Sequence, residues 1–195
     1  MRTKIRLGSR RAFSLVELMV VMAIIMMLAG LVMVALPGLQ AKANRNRAEA
    51  FLAELEGGLS KYKVDNGIFP RNDAGGDREV SGKNGAAILY KYLSGDFSPV
   101  DGFVDDGEKI YVPKLDFETN KNSNNPRSRF FQGEYIVIDN YGNRIRYLCD
   151  PPNTKPSERN TVNPTYDIWS IVDTDPGNAN DLKTQSKYIT NWRRN

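Results

Sequence analysis

The sequence predicts an α+β protein in which one long N-terminal α-helix packs on a small antiparallel β-sheet. Three observations predict it. An apolar run from residue 13 to 36 is long enough for a membrane-length helix, and apolar residues at helical spacing follow it from Ala48 to Tyr62. Alternating, β-branched and aromatic segments return only after residue 133. A helix with one apolar stripe must bury that stripe, and a sheet supplies the second layer.

Charge and composition exclude several function classes. The net charge is +4, but five of the 27 basic residues and no acidic residue lie in the first twelve positions. The remainder carries 22 basic and 23 acidic residues, so nucleic acid is not an expected partner. The chain has no histidine and one cysteine, Cys149, which removes Ser–His and Cys–His catalysis and an ordinary zinc site. We therefore predict that the protein is not an enzyme.

The first helical segment has the properties of a membrane span. Between Phe13 and Leu36 only Ser14 and Glu17 are clearly polar, and as a helix the segment is about 36 Å long, enough for a bilayer core. The basic leader before it predicts a cytoplasmic N-terminus and a translocated C-terminal part. A plain signal anchor explains this length and orientation equally well, but it gives no reason for Glu17.

The stretch AFSLVELMVVMAIIMMLAGLV resembles the class III signal of type IV pilins and of type II secretion pseudopilins. The resemblance implies cleavage between Ala12 and Phe13 by a prepilin peptidase, N-methylation of Phe13, and a glutamate at the fifth mature position, Glu17. The family usually has glycine before the cut, where this chain has Ala12.

The resemblance also gives Glu17 a role in assembly. Cleavage creates a positive amine on Phe13, about 6 Å along the helix from Glu17. In the family this carboxylate is thought to meet the amine of a neighbouring subunit as helices pack into a filament. The alternative is an ion pair of Glu17 with the amine of its own chain, and the two can exchange on assembly.

The helix continues beyond the membrane segment. Pro37 and Gly38 predict a kink or local melting. The stripe Ala48, Leu52, Leu55, Leu59 and Tyr62 predicts packing on a globular domain, and DNGIFP (65–70) predicts the end of the helix. Charged residues on the opposite face are predicted to be solvated or to face other subunits; they are Arg45, Arg47, Glu49, Glu54, Glu56 and Lys61.

The rest of the chain predicts a short helix, an irregular insertion and three strands. The helix covers 86–93, with Ile88, Leu89, Tyr92 and Leu93 as its buried face. The insertion covers about 94–133, with a short strand at 109–112. Strands at 134–138 and 143–149 flank a DNYG hairpin turn, and 165–173 forms the third strand.

Within the second strand, Ile145, Tyr147 and Cys149 alternate with Arg144 and Arg146. The alternation predicts one apolar face and one solvated face that carries the two arginines.

Further stretches narrow the resemblance to the major pseudopilins of type II secretion. Four stretches of this chain are similar to motifs of that family. The stretch LSKYKVDNGIFP is similar to the family motif YxxDNGxYP, and DNYGNRIRY is similar to DPWGNPYxY. Nearer the C-terminus, YDIWSIVDTD is similar to DIxSxGADG, and KYITNW is similar to DIxNW. The family implies a pilin-like fold, but it implies nothing about residues 94–133.

Major pseudopilins of this type bind calcium in the loop before the closing NW. The resemblance implies that Asp173, Asp175 and Asp181, with Asn178 or Asn180, supply oxygen ligands. The family's acid before I-x-N-W is absent here. The alternative is a polar surface loop that satisfies its own turns.

The expected function is that of a major-type pseudopilin, inserted as a single span in the bacterial inner membrane with a periplasmic C-terminal domain. The implied partners are further copies, minor pseudopilins, the prepilin peptidase and an inner-membrane assembly platform. The predicted organisation is a leader (1–12), a filament-core helix (13–36), an amphipathic continuation (37–65) and a globular domain (66–195). The alternatives are a type IV pilin of a surface or DNA-uptake pilus, and a single-pass anchored binding domain. A DNA-uptake role requires that Arg127, Arg129, Arg144 and Arg146 cluster in space.

Overall fold

The structure is a computed structural model, and it describes residues 13–71, 82, 84–172 and 187–192. The chain divides into two units, Met1–Ala43 and Asn44–Asn195, which are considered separately. The first contains the start of helix α1 (Leu15–Asn66). The second contains the rest of α1 and the other described helices and strands. The predicted α+β, pilin-like class is confirmed.

In the first unit, α1 is apolar and exposed on all sides. Each large apolar side chain from Leu15 to Met33 is at least 47% exposed. The helix is unbroken through Pro37 and Gly38, so the local melting that the sequence allowed there does not occur. Proline removes only one backbone hydrogen bond, and the helix continues for many residues on both sides.

In the second unit, α1 buries a single stripe. Ala48, Leu52, Leu55 and Leu59 are at most 3% exposed, as predicted, and Tyr62 is partly buried. Phe51 also belongs to the stripe, because it lies three residues after Ala48 on the same face.

Helix α1 ends at Asn66, as the DNG sequence predicts. Gly67 has a φ of 79° and donates its N–H to the carbonyl of Lys63 at 2.8 Å. Glycine adopts this left-handed conformation without a Cβ penalty, so the residue after the helix caps a free carbonyl.

Helix α2 (Gly85–Leu93) lies within one residue of its predicted range. Leu89 and Leu93 are buried as predicted, whereas Ile88 and Tyr92 are only partly buried. Tyr90 is fully buried instead, because its ring stacks on Tyr135 with centroids 5.3 Å apart.

The insertion is irregular up to residue 112, as expected, but the predicted strand at 109–112 is wrong, and residues 128–131 form a strand that was not predicted. The N–H groups of Tyr111 and Val112 both donate to the carbonyl of Leu93, each at 3.0 Å. These bonds cap the end of α2, so the two N–H groups do not take part in pairing with another strand. A 3₁₀ turn (Pro113–Leu115) and helix α3 (Phe117–Asn120) follow.

Two carboxylates organise the start of the insertion. Asp96 accepts hydrogen bonds from the hydroxyl of Tyr90 and from the N–H groups of Asp101 and Gly102, at 2.7–3.0 Å. Asp105 accepts from the N–H groups of Phe97 and Ser98, both at 2.8 Å. These bonds fold residues 96–105 into an ordered loop.

The strands form two small antiparallel sheets. Strands β1 (Ser128–Phe131) and β2 (Glu134–Val137) pair as a hairpin, with Phe130 opposite Tyr135. Strands β3 (Arg146–Cys149), β4 (Tyr166–Ser170) and β5 (Ile189–Thr190) form the second sheet in the order β3-β4-β5.

The predicted hairpin turn at DNYG is present, but its ladder is short. The flanking segments share a bridge between Ile138 and Arg144, a bond from the Asp139 N–H to the Asn143 carbonyl at 2.9 Å, and one from the Ile145 N–H to the Val137 carbonyl at 3.0 Å. β2 pairs with β1, and β3 pairs with β4, so the turn connects two sheets. The buried carboxylate of Asp139 accepts N–H groups of this turn and the Ser170 hydroxyl of β4, and these bonds hold the turn against the second sheet.

The third predicted strand is confirmed over Tyr166–Ser170, and Ile145 and Tyr147 are buried on the predicted apolar face. The predicted solvated face is wrong for Arg146, which is only 4% exposed. Its Cα lies opposite that of Trp169 in the central strand β4, so both faces of β3 are covered at this position.

Candidate functional site

The candidate site begins where α1 begins, at Phe13, Ser14 and Glu17. The Ser14 hydroxyl accepts a hydrogen bond from the Glu17 N–H at 3.1 Å, and the Ser14 carbonyl accepts from the Leu18 N–H at 3.2 Å. Ser14 therefore caps the helix, and it satisfies an amide that would otherwise lack a partner in an apolar environment.

The role of Ser14 was missed from the sequence, although a signal for it is present. Ser14 and Glu17 have the S-x-x-E spacing of a capping box directly before an apolar run.

The Glu17 side chain lies in the first turn of α1 and is exposed. Within the described part of the chain, no hydrogen bond or ion pair involves its carboxylate. The positive end of the helix dipole favours an acid here. Ala12, the residue before the expected cleavage position, lies outside the described residues.

The surface that follows Glu17 is continuously apolar. Among the described helices, α1 is long and apolar enough to cross a membrane, with a mean hydropathy of 2.9 in its most apolar window. No residue of that window is buried in the chain. A helix that is apolar all round needs lipid or other helices on every side.

The proposed calcium ligands Asp173, Asp175 and Asp181 lie outside the described residues. Within residues 13–71, 82, 84–172 and 187–192, no group of three or more His, Cys, Asp or Glu side chains has a metal-binding arrangement. The calcium site therefore stays a prediction.

The four arginines that a phosphate-binding surface would need do not form one cluster. Arg127 and Arg146 are at most 8% exposed, and the Arg127 guanidinium lies 4.4 Å from the Phe51 ring centroid. Burial lowers the pKa of Arg127. Arg129 of β1 and Arg144, which follows the DNYG turn, instead lie together around Phe131.

The N-terminal segment matches a motif that is known from other proteins. Residues 7–33 match the prokaryotic N-terminal methylation motif. This match includes Phe13, Ser14 and Glu17 and most of the exposed apolar surface.

The chain is also similar to proteins named type II secretion system core protein G. It is 36% identical to that of Klebsiella pneumoniae over 88 residues, which is 45% of this chain and 63% of the relative. It is 41% identical to those of Pectobacterium carotovorum and Escherichia coli K12 over 66 residues. This match covers 34% of this chain and 42% and 46% of the two relatives.

The chain thus spans about half the length of the curated relatives it matches. No solved structure matches it. The methylation motif, the long apolar helix joined to a small α+β domain, and these relatives make the chain similar to type IV pilin-like proteins of the major pseudopilin type.

Proposed function

We propose that this protein is a structural subunit of a type II secretion pseudopilus. It is held in the bacterial inner membrane by α1, with the globular unit in the periplasm, and it is cleaved and N-methylated at Phe13. It then polymerises through α1 to support protein secretion. The observation that carries the proposal is the unpartnered apolar surface of α1 immediately after Glu17.

The size of that surface supports polymerisation out of a membrane. Burying one large apolar side chain contributes about 1.5–3 kcal/mol, and each such residue from Leu15 to Met33 is largely exposed. The surface cannot stay in water, whereas lipid and a bundle of identical helices both cover it. A subunit can therefore pass between these two environments without exposing the helix to water.

The position of Glu17 supports a specific register in the filament. Its carboxylate is in the first turn and no described group pairs with it, while Ser14 already satisfies its backbone amide. Removal of the leader places a cation about one turn away. An unpaired charge in an apolar bundle is costly, so assembly favours the register in which each Glu17 meets an amine.

The proposed partners follow from this role. They are further copies of the chain, minor pseudopilins, the prepilin peptidase that cuts after Ala12, and an inner-membrane assembly platform. The names of the relatives support a type II secretion system as the setting. The role is structural, and it requires no catalytic residue in this chain.

The proposal is tested by Glu17→Ala in cells that assemble the filament. Sheared filaments are expected to disappear, while the protein still inserts in the membrane and its intact mass still shows a chain that starts at methylated Phe13. Glu49→Ala is the matched control, because it removes an exposed carboxylate from the other half of α1. Filaments of normal abundance with Glu17→Ala would contradict the pairing argument. An uncleaved chain in wild-type cells would favour the plain anchored domain.

We also propose that Asp173, Asp175 and Asp181 bind calcium. The resemblance to major pseudopilins and the oxygen ligands in this segment support the site. Calcium is expected to raise the melting temperature of the full chain in detergent, since a ligand of the native state stabilises it. The effect should be absent when all three residues are changed to asparagine, and it should persist in Asp106→Asn. An unchanged melting temperature in the wild type would exclude the site.

A further inference from the structure

One arginine of strand β1 and one arginine that follows the DNYG turn both lie close to an exposed aromatic ring. The guanidinium carbons of Arg129 and Arg144 lie 5.0 and 5.1 Å from the ring centroid of Phe131. Phe131 is 38% exposed. These three residues are called the arginine surface below.

The charges of the arginine surface are not neutralised within the described part of the chain. Neither guanidinium lies within ion-pair distance of a described carboxylate. Their polar contacts are to neutral oxygens, from Arg129 to the Gly142 carbonyl at 3.5 Å and from Arg144 to the Gln132 side chain at 3.4 Å. Both contacts are long, so the arginines keep most of their capacity to bind an anion.

The loop at residues 101–108, DGFVDDGE, has the opposite character. It contains four acidic residues and no basic residue. The Asp105 carboxylate accepts hydrogen bonds from the backbone of Phe97 and Ser98. Asp106 and Glu108 are exposed and form no ion pair with a described residue. Phe103, 58% exposed, adds an apolar group beside them. The bonds accepted by Asp96 and Asp105 hold this acidic loop in shape before any partner arrives.

The start of the acidic loop and two residues of the arginine surface lie on opposite faces of the β1–β2 hairpin. The Tyr135 hydroxyl donates to the Asp101 carbonyl at 2.8 Å, and Tyr135 contacts Phe130 on the same face of β1 and β2. Because side chains alternate along a strand, Arg129 and Phe131 project from the other face. Asp101, the first residue of the acidic loop, is therefore attached to one face of the hairpin, and Arg129 and Phe131 lie on the other.

We propose that the acidic loop of one copy binds the arginine surface of the next copy. Each surface presents charge that no described ion pair neutralises, beside an exposed phenylalanine, and the charges are complementary. Because the contact joins two different surfaces of the chain, it is head-to-tail, and it generates a line of subunits when its rotation does not close a ring. This contact rests on the proposed function, because it would connect globular units along the filament, outside the bundle of helices.

The test is disulfide crosslinking in cells, with Cys149→Ser as background. Asp106→Cys with Arg144→Cys in one chain is expected to give a ladder of covalent oligomers under mild oxidation. Each cysteine alone should give no crosslink, and coexpression of the two single variants should give a dimer. Crosslinked dimers from Arg144→Cys alone would mean that arginine surfaces face each other, and would overturn the head-to-tail contact.

Charge reversal gives a second measurement. Arg129→Glu with Arg144→Glu, tested through a cysteine pair at Asp106 and Gln132, should reduce the ladder by at least about tenfold, since like charges then meet. Adding Glu108→Lys is expected to restore part of it. Lys121→Glu with Lys155→Glu makes the same change in net charge at exposed sites elsewhere and should leave the ladder unchanged. An unchanged ladder in the double arginine variant would overturn the contact.

Counting filaments in the same cells distinguishes a failure of the proposed contact from a failure of the proposed function. Normal filaments without a ladder would overturn the contact and leave the proposed function in place. A ladder without wild-type filaments would support the contact and contradict the proposed function, and the absence of both would overturn both. If the double arginine variant loses binding of a short DNA duplex but keeps the ladder, the occupant is nucleic acid, and the contact is again overturned.

Discussion

The two halves of α1 have the same backbone but opposite relations to their surroundings. From Leu15 to Met33 the large apolar side chains are exposed on every side, whereas from Ala48 to Leu59 one stripe is buried by the chain's own globular unit. The acids differ in the same way, since Glu17 has no described side-chain partner and Asp139 accepts three hydrogen bonds inside the fold. The second half of α1 therefore stabilises the subunit, while the first half remains available for contact with lipid or with other subunits.

The largest effect on stability is expected from Leu55→Ala. Leu55 is fully buried, so its truncation should lower the free energy of unfolding by about 2–5 kcal/mol. Leu28→Ala is the matched change in the first half, where the side chain is 56% exposed. It should leave thermal unfolding unchanged. Tryptophan fluorescence of the full chain in detergent measures both, because the chain's only tryptophans, Trp169 and Trp192, lie in the globular unit. Equal melting temperatures for the two variants would contradict the comparison.

Glycines give a smaller contrast along the same helix. A Cβ at Gly58 would collide with the Val112 side chain, while a Cβ at Gly30 meets nothing within 4 Å in the single chain. In Gly58→Ala, overpacking is expected to lower the free energy of unfolding by about 1–3 kcal/mol. The higher helix propensity of alanine offsets about 1 kcal/mol of this loss. Gly30→Ala should leave the melting temperature of the globular unit unchanged. If Gly30→Ala nonetheless removes filaments, the subunits approach one another closely at that position.

The smallest effect is a pH dependence of opposite sign at two aspartates. Burial raises the pKa of Asp139 above its usual 3.8, so its contribution to stability is present below that value and is lost as pH rises through the raised pKa. The backbone N–H groups of Ser98 and Phe97 lower the pKa of Asp105, so its contribution is lost as pH falls through the lowered pKa.

Asparagine variants of these two residues should therefore diverge. From about pH 3 to 6, the melting temperature of Asp139→Asn relative to wild type should rise with pH, and that of Asp105→Asn should fall. If both differences in melting temperature changed with pH in the same direction, the pKa values of the two carboxylates would not be shifted in opposite directions by their contacts. The contrast would show that the globular unit satisfies its acids internally, unlike the start of α1.

The elements that the sequence predicted well are those set by neighbours along the chain. The end of α1 at Asn66, the buried stripe and helix α2 depend on residues three or four positions apart and on the capping Gly67. Ser14 also belongs to this class, and its S-x-x-E spacing would have identified it.

The errors concern pairings between distant segments. Strand 134–138 joins the segment after DNYG only at its end, and over most of its length it pairs with 128–131, which the sequence assigns to the irregular insertion. Arg146 was expected in solvent, but the pairing of β3 with β4 buries it. Residues 109–112 were expected to form a strand, but two of their amides cap α2. In each case an alternating pattern was correct locally, and a contact partner far along the chain decided the outcome.

The sequence by itself determined the membrane-length helix, its methylation motif and the isolated Glu17, because these depend on composition and short-range spacing. Only the tertiary structure decided which strands pair, which arginines are buried, and that Arg129 and Arg144 meet around Phe131. The physical reason is that helix formation and capping are local, whereas burial and strand pairing depend on the free energy of contacts between segments that the order of residues alone does not bring together.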